Sequence, residues 1–228
     1  IYSGYGVFPI DTFLHYDSSY RITQGEYPIK DFWIVSGIFV DFLGAFFFQI
    51  FGVNWSAYIL HSSLLNSLFA ISTFFFLLKI KLKPIYAFFY SSLGSVLAYP
   101  PSGTPFVDHH AVLLCLISGY LLILAITLKK NIYWFLFPIF ISLSFLSKQV
   151  PSSYLIILFS LILLFYCSIK KNFKPMFLSF CSCLTILLIF FLFLKIFEIK
   201  FQDFIEQYIL YPQSIGLGRL ESFELNFV

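Results

Sequence analysis

Four clusters in the chain carry residue types that could do chemistry at a membrane surface. The first is Asp11-Thr-Phe-Leu-His15-Tyr-Asp17. A carboxylate there could take a proton from an acceptor hydroxyl as a general base, and Asp11 and Asp17 are the candidates. The alternative is a loop acid that only meets water or caps a helix. The second cluster is Thr104-Pro-Phe-Val-Asp108-His109-His110. One acid and two imidazoles could hold a metal or a phosphate, with Asp108 as the metal ligand. Adjacent helical residues point about 100° apart, which hinders His109 and His110 from facing one ion. The alternative is Asp108 as a helix cap with both histidines at the water interface. The third is Ser147-Lys148-Gln149-Val-Pro151. Lys148 could hold a lipid phosphate as a point charge in a polar cavity, or snorkel at a short turn. The fourth is Tyr208-Ile-Leu-Tyr-Pro212-Gln-Ser-Ile-Gly216-Leu-Gly218-Arg219. Arg219 in a glycine-punctuated loop could clamp a phosphate with two hydrogen bonds, or sit solvated on the surface.

The elements that position these residues follow from composition. The 228 residues are 60% hydrophobic, 22% aromatic and 11% charged, with mean hydropathy +0.90. Soluble domains are about 45–50% apolar and about 25% charged. This excludes a soluble enzyme, a disordered chain and a nucleic-acid-binding module. It predicts an all-α, polytopic transmembrane helical bundle with juxtamembrane helices outside the cytoplasm.

Apolar runs and their charged or Pro/Gly edges predict six spans. They are Ser56–Leu78, Ile85–Tyr99, Ala111–Leu128, Ile132–Leu146, Ser153–Ile169 and Pro175–Leu194. The chain divides into a first external loop (1–53), the spans (54–195) and an external tail (196–228). Phe201 to Tyr211 has helical apolar spacing and reads as a surface helix. There are no repeats and no separate soluble domain.

Six spans place Lys79, Lys81, Lys83, Lys129, Lys130, Lys170, Lys171 and Lys174 on one side, with no acid. All eleven acids fall on the other side, with Arg21, Lys30, Lys148, Lys195, Lys200 and Arg219. The positive-inside rule makes the lysine side cytoplasmic. Acids count little for insertion, so chemistry is one reason for their confinement to one face. The N-terminal segment then lies outside the cytoplasm, and a transmembrane helix upstream of Ile1 is expected. Phe32 to Phe51 is long enough to span but contains Asp41, which costs about 2.5–3.5 kcal/mol mid-membrane. An interfacial helix is the favoured reading, with Trp33, Phe42, Phe46 and Phe47 facing lipid.

Cys115, Cys167, Cys181 and Cys183 lie in or beside apolar runs and show neither zinc spacing nor a disulfide framework. Asn54-Trp-Ser56 fits a glycosylation sequon, a short motif that recurs by chance. The chain lacks a Walker A loop, a Rossmann glycine fingerprint and an HExxH motif.

The run Asp11…His15…Arg21-Ile-Thr-Gln-Gly25-Glu-Tyr27-Pro28-Ile-Lys-Asp31-Phe…Gly37…Phe51-Gly52 resembles the first periplasmic loop of GT-C glycosyltransferases. There an acid follows the first span and a G-x-x-P-Y-x-D stretch leads into juxtamembrane helices. Gly25 to Asp31 fits it with Tyr and Pro exchanged. Lys148-Gln149 before Pro151 is similar to the bacterial branch grouped with rhizobial lipopolysaccharide glycosyltransferases and protein O-mannosyltransferases. The resemblance implies inverting sugar transfer from a polyprenyl-phosphate-linked donor to an envelope glycan, lipid or protein acceptor, outside the cytoplasm. The membrane is then the bacterial inner membrane. It puts the catalytic acid on Asp11. Many relatives have two adjacent acids there, whereas Thr12 follows Asp11, which keeps Asp17 open as the base. Lys148, Gln149, Arg219, His109 and His110 are the implied donor-phosphate partners. The resemblance leaves metal dependence open, since GT-C enzymes of both kinds exist, and a divalent metal at Asp108 is an option. The family's first span and last spans are expected beyond the present chain. Two other functions compete: a transporter or flippase of lipid-linked sugars, and a non-catalytic membrane scaffold. A transporter normally sets polar groups near the midplane of its spans, whereas the acids here crowd at one surface.

Overall fold

The computed structural model describes residues 9–99 and 103–221, with side chains described for 12–99 and 103–218. Among the described residues the chain is an all-α polytopic bundle without strands. Four helices are long and apolar enough to cross a membrane: α3 (Trp55–Lys79), α5 (Val107–Leu128), α7 (Gln149–Lys170) and α8 (Lys174–Ile196). Two shorter apolar helices, α4 (Pro84–Ala98) and α6 (Asn131–Ser147), alternate with them. The bounds of all six helices fall within a few residues of the expected runs, because each apolar run is cut by lysines or proline, but four of the six are long enough to cross. The eight lysines of the acid-free turns are exposed at one end of the bundle.

Before the bundle come α1 (Pro9–Thr23) and α2 (Ile38–Phe51). After it comes a continuous helical tail: α9 (Phe201–Ile205), a π-helical turn (Glu206–Leu210) and α10 (Tyr211–Glu221). The expected loop around Asp11 to Asp17 is therefore a helix, and so is the expected Gly-punctuated loop around Arg219. The buried face of α1 is Thr12, His15, Ser18, Ser19 and Ile22. That face has helical spacing but is mostly polar, so hydropathy does not reveal it. In α10, Gly216 and Gly218 weaken the helix without breaking it.

Phe32–Phe51 resolves into a turn and the shorter α2. Trp33 and Phe46 are exposed as expected of a lipid-facing side. Phe47 is buried, and Phe42 packs edge-on against Phe193 and beside Phe197. These two rings face the bundle instead. The entry to α3 is capped by Asn54, whose side-chain oxygen accepts the Ala57 N–H at 2.9 Å. The sequon asparagine thus has a structural task.

Several polar groups inside the bundle pair between helices, as an apolar surround favours. Pro138 lies inside α6 and has no N–H for the carbonyl four residues back, that of Trp134. Ser179 on α8 donates to that carbonyl at 2.9 Å. Ser118 on α5 donates to Phe137 O at 2.8 Å. At the joint of α5, α6 and α7, Ser144 donates to Ala111 O at 2.7 Å and meets Ser152 Oγ at 2.6 Å. Trp134, Phe137, Phe159 and Leu163 fill the space between these contacts.

Ser179→Ala leaves the Trp134 carbonyl buried without a partner and lowers stability by about 1–3 kcal/mol. Thermal unfolding in mild detergent measures it. A Pro138→Ala background, which returns an N–H to that carbonyl, makes the same substitution milder.

Candidate functional site

The first three sequence clusters meet at the acid-rich end. Thr12 Oγ1 on α1 lies 3.4 Å from Thr104 Oγ1, just before α5. Four residues on, Asp108 Oδ1 accepts from Lys148 Nζ at 2.6 Å. Both partners of that pair are about half exposed. The cation expected to hold a phosphate is thus paired with the acid expected to hold a metal. Asp108 does not cap α5, whose N-cap is Phe106.

His109 and His110 are both buried, away from the expected water interface. Their rings stand 82° apart and do not converge on one point. His110 Nδ1 lies 2.9 Å from Phe106 O, which can only accept, so Nδ1 carries the proton. His110 Nε2 then accepts from His61 Nε2 at 2.8 Å. This fixes both tautomers and leaves the His61 Nδ1 lone pair buried without a partner. Among the described residues His109 has no hydrogen-bond partner on either ring nitrogen. Among the described residues no three His, Cys, Asp or Glu side chains group as metal ligands.

Asp17 is exposed on the outer side of α1, away from the face that carries Thr12, His15 and Ser19. Asp11 belongs to α1, but its side chain, like that of Arg219, lies outside the described residues. Gln149 donates through Nε2 to Val35 O and to Tyr208 O, each at 2.7 Å. Its amide hydrogens fasten the first loop and the tail to α7.

Two residues that sequence reasoning did not assign are central. Asp41 Oδ1 lies 2.7 Å from His15 Nδ1, and the two side chains are only 1% and 5% exposed. Burial pushes the Asp41 carboxyl above its ordinary range, and His15 opposes that shift. Among the described residues its second oxygen has no hydrogen-bond partner. The pair needs close helix approach. Gly37 has φ +91°, and a Cβ there would fall 2.7 Å from the His15 ring and 2.9 Å from Val107. A Cβ on Gly44 would fall 2.3 Å from Ser19 Oγ. The sequence signal was Asp41 itself, since an acid inside an apolar run demands a partner.

An apolar cavity of about 380 Å³ opens between α2, α6 and α8. Ile38, Phe42, Leu143, Leu146, Phe193 and Ile186 are among its walls. Asp41 and Phe42 are neighbours, so α2 separates this greasy groove from the polar cluster.

The loop before α2 is tied to the far end of the chain. Lys30 Nζ donates to Glu198 Oε2 at 2.7 Å. That hydrogen bond holds the Glu198 carboxyl below its usual range and Lys30 above its own.

No protein-family model, curated protein or solved structure matches the chain.

Two outcomes follow. Asp41→Ala strips buried His15 of its partner and lowers stability by about 3 kcal/mol, while Asp41→Asn costs less; chemical or thermal unfolding measures both. The Lys30–Glu198 pair contributes at neutral pH. Because the folded-state Glu198 pKa is lowered, that contribution is lost as pH falls through it. The melting difference between wild type and Glu198→Gln is therefore small at neutral pH and vanishes in acid.

Proposed function

We propose that the chain is a membrane glycosyltransferase of the GT-C kind. It transfers a sugar from a polyprenyl-phosphate donor to an envelope acceptor on the extracytoplasmic face, with inversion. The observation that carries this reading is the meeting of three sequence-distant polar clusters at one end of an apolar bundle. That end is opposite the lysine-rich turns, which the positive-inside rule assigns to the cytoplasm.

The roles follow from chemistry. Asp11 is the base that takes the acceptor proton. Lys148 is the cation for the leaving phosphate, exchanging Asp108 for the more highly charged group. The apolar groove along α2 suits an isoprenoid chain. From Ile186 to Phe197 it follows α8 for about 16 Å, enough for several isoprene units. The greasy chain and the reacting headgroup would then lie on opposite sides of α2.

The buried histidines and Asp41 gather near the ends of α3 and α5 and not along the middle of a span. A transporter path would need polar groups at the midplane.

The test uses the native full-length protein in proteoliposomes with extracted polyprenyl-phosphate sugars and envelope acceptors. Asp11→Asn lowers transfer about 10²-fold or more at equal protein level. Unchanged transfer removes Asp11 from the mechanism. Absence of transfer by wild type, with the donor pool shown to support a control enzyme, overturns the reading.

A further inference from the structure

We propose that a groove between α3, α5 and α6 at the lysine-rich end binds one anionic phospholipid, its acyl chain in the groove and its phosphate among Lys79, Lys129 and Lys130. This site lies at the end of the bundle opposite the acid-rich cluster. The inference does not rest on the glycosyltransferase reading.

The groove is built from three helix faces. On α3, Ser72, Phe75, Phe76 and Lys79 fall at helical spacing on one side and line it. Leu124 of α5 and Tyr133 of α6 belong to the other walls. The space measures about 310 Å³. From Lys79 to Ser72 it follows α3 for about 10 Å into the apolar layer. One wall is held firmly. Phe76 stacks on Tyr120 with centroids 4.3 Å apart and planes 10° from parallel, and Thr73 Oγ1 donates to the Tyr120 hydroxyl at 3.3 Å. Phe75 is exposed, so a lipid tail enters sideways from the bilayer.

Charge identifies the occupant. Lys79 is itself a lining residue at the mouth. Lys129 and Lys130 form the turn that joins the α5 and α6 walls, and Lys130 precedes Tyr133 by three residues. All three lysines are exposed. The turns at this end carry eight lysines and no acid, so the protein supplies no counter-charge there. A soluble anion would meet the lysines and leave the groove empty. A neutral lipid would fill the groove and leave the lysines unmet. An anionic phospholipid satisfies both, and basic pockets between helices on the cytoplasmic side are a recurrent place for such headgroups. Tyr133 puts an aromatic ring with a hydroxyl near the level where chain and headgroup join, as interfacial tyrosines do. The α7–α8 turn also carries Lys170, Lys171 and Lys174, but none of them lines the neighbouring cavity between α6, α7 and α8. That turn therefore serves as a control of equal charge.

The test places the full chain in nanodiscs of phosphatidylglycerol and phosphatidylcholine with matched acyl chains. Native mass spectrometry after release into mild detergent counts the lipid retained. We expect wild type to keep one phosphatidylglycerol with about tenfold preference over phosphatidylcholine. Lys79→Gln/Lys129→Gln/Lys130→Gln removes that preference, whereas Lys170→Gln/Lys171→Gln/Lys174→Gln changes it by less than about twofold. Ser72→Phe keeps every charge but fills the groove, and it releases the lipid. Glycerol 3-phosphate, which has the anion without the tail, does not compete at equal concentration.

Equal retention of both lipids by wild type overturns the proposal. So does an equal loss in the two triple variants, which would mean diffuse surface charge. Full retention in Ser72→Phe, or effective competition by glycerol 3-phosphate, overturns it as well, because the groove would then hold no tail. If a triple variant loses its helical circular dichroism, wild type against Ser72→Phe and the competition still decide. None of these readouts uses sugar transfer, so failure here leaves the glycosyltransferase reading untouched.

Discussion

An ionisable group buried inside an apolar helix must find a partner, and the union of Asp41 with His15 organises the acid-rich end. It holds α1 against α2, and two glycines make the approach possible. Once α1 is seated, Thr12 meets Thr104 and the Tyr58 hydroxyl donates to Thr12 O at 2.9 Å. The polar face of α1 is thereby roofed onto α3 and α5. The His61–His110 contact joins the same two helices. Without the pair, α1 would present serine, threonine and histidine to a greasy surface and have little reason to dock.

The same low-dielectric logic runs through the membrane-embedded part. Serine hydroxyls cross between helices to carbonyls at the contacts around Pro138 and Ser144. These bonds are short and local, and they let small residues bring the helix backbones together. The exposed side of the bundle is correspondingly plain: Leu97, Phe165, Leu188 and Ile196 are each about 70% exposed or more on the helices or at their ends. Such a surface suits lipid and would be a liability in water.

The bundle was legible in the sequence because hydropathy and lysine-rich turns report it directly. The Asp108 and Lys148 clusters were also legible as places, since charged residues interrupt apolar runs there. Their pairing was not, because forty residues separate them and no local pattern encodes the contact. The helical state of α1 was hidden by a buried face made of Thr, His and Ser. Asp41 was read as an obstacle to insertion when it was half of a pair. His61 stood alone in an apolar span and carried no signal of its partner forty-nine residues on. Gln149 was marked as a donor contact by resemblance, whereas its amide fastens backbone to backbone.

The turn between α1 and α2 has a further meaning in the order of synthesis. Its Ile34 N–H donates to Gln207 Oε1, and its Ile29 carbonyl accepts from Gln207 Nε2. Its Val35 carbonyl accepts from Gln149 Nε2, and its Lys30 Nζ donates to Glu198 Oε2. Every one of these partners is translated more than a hundred residues later. The segment made early is therefore fastened late, after α7 has been inserted and the π-helical turn has emerged. Until then its open N–H and C=O groups must stay with water or with the insertion machinery. Assembly of the acid-rich end is thus a closing event, in which the tail completes a surface that the first fifty residues only begin.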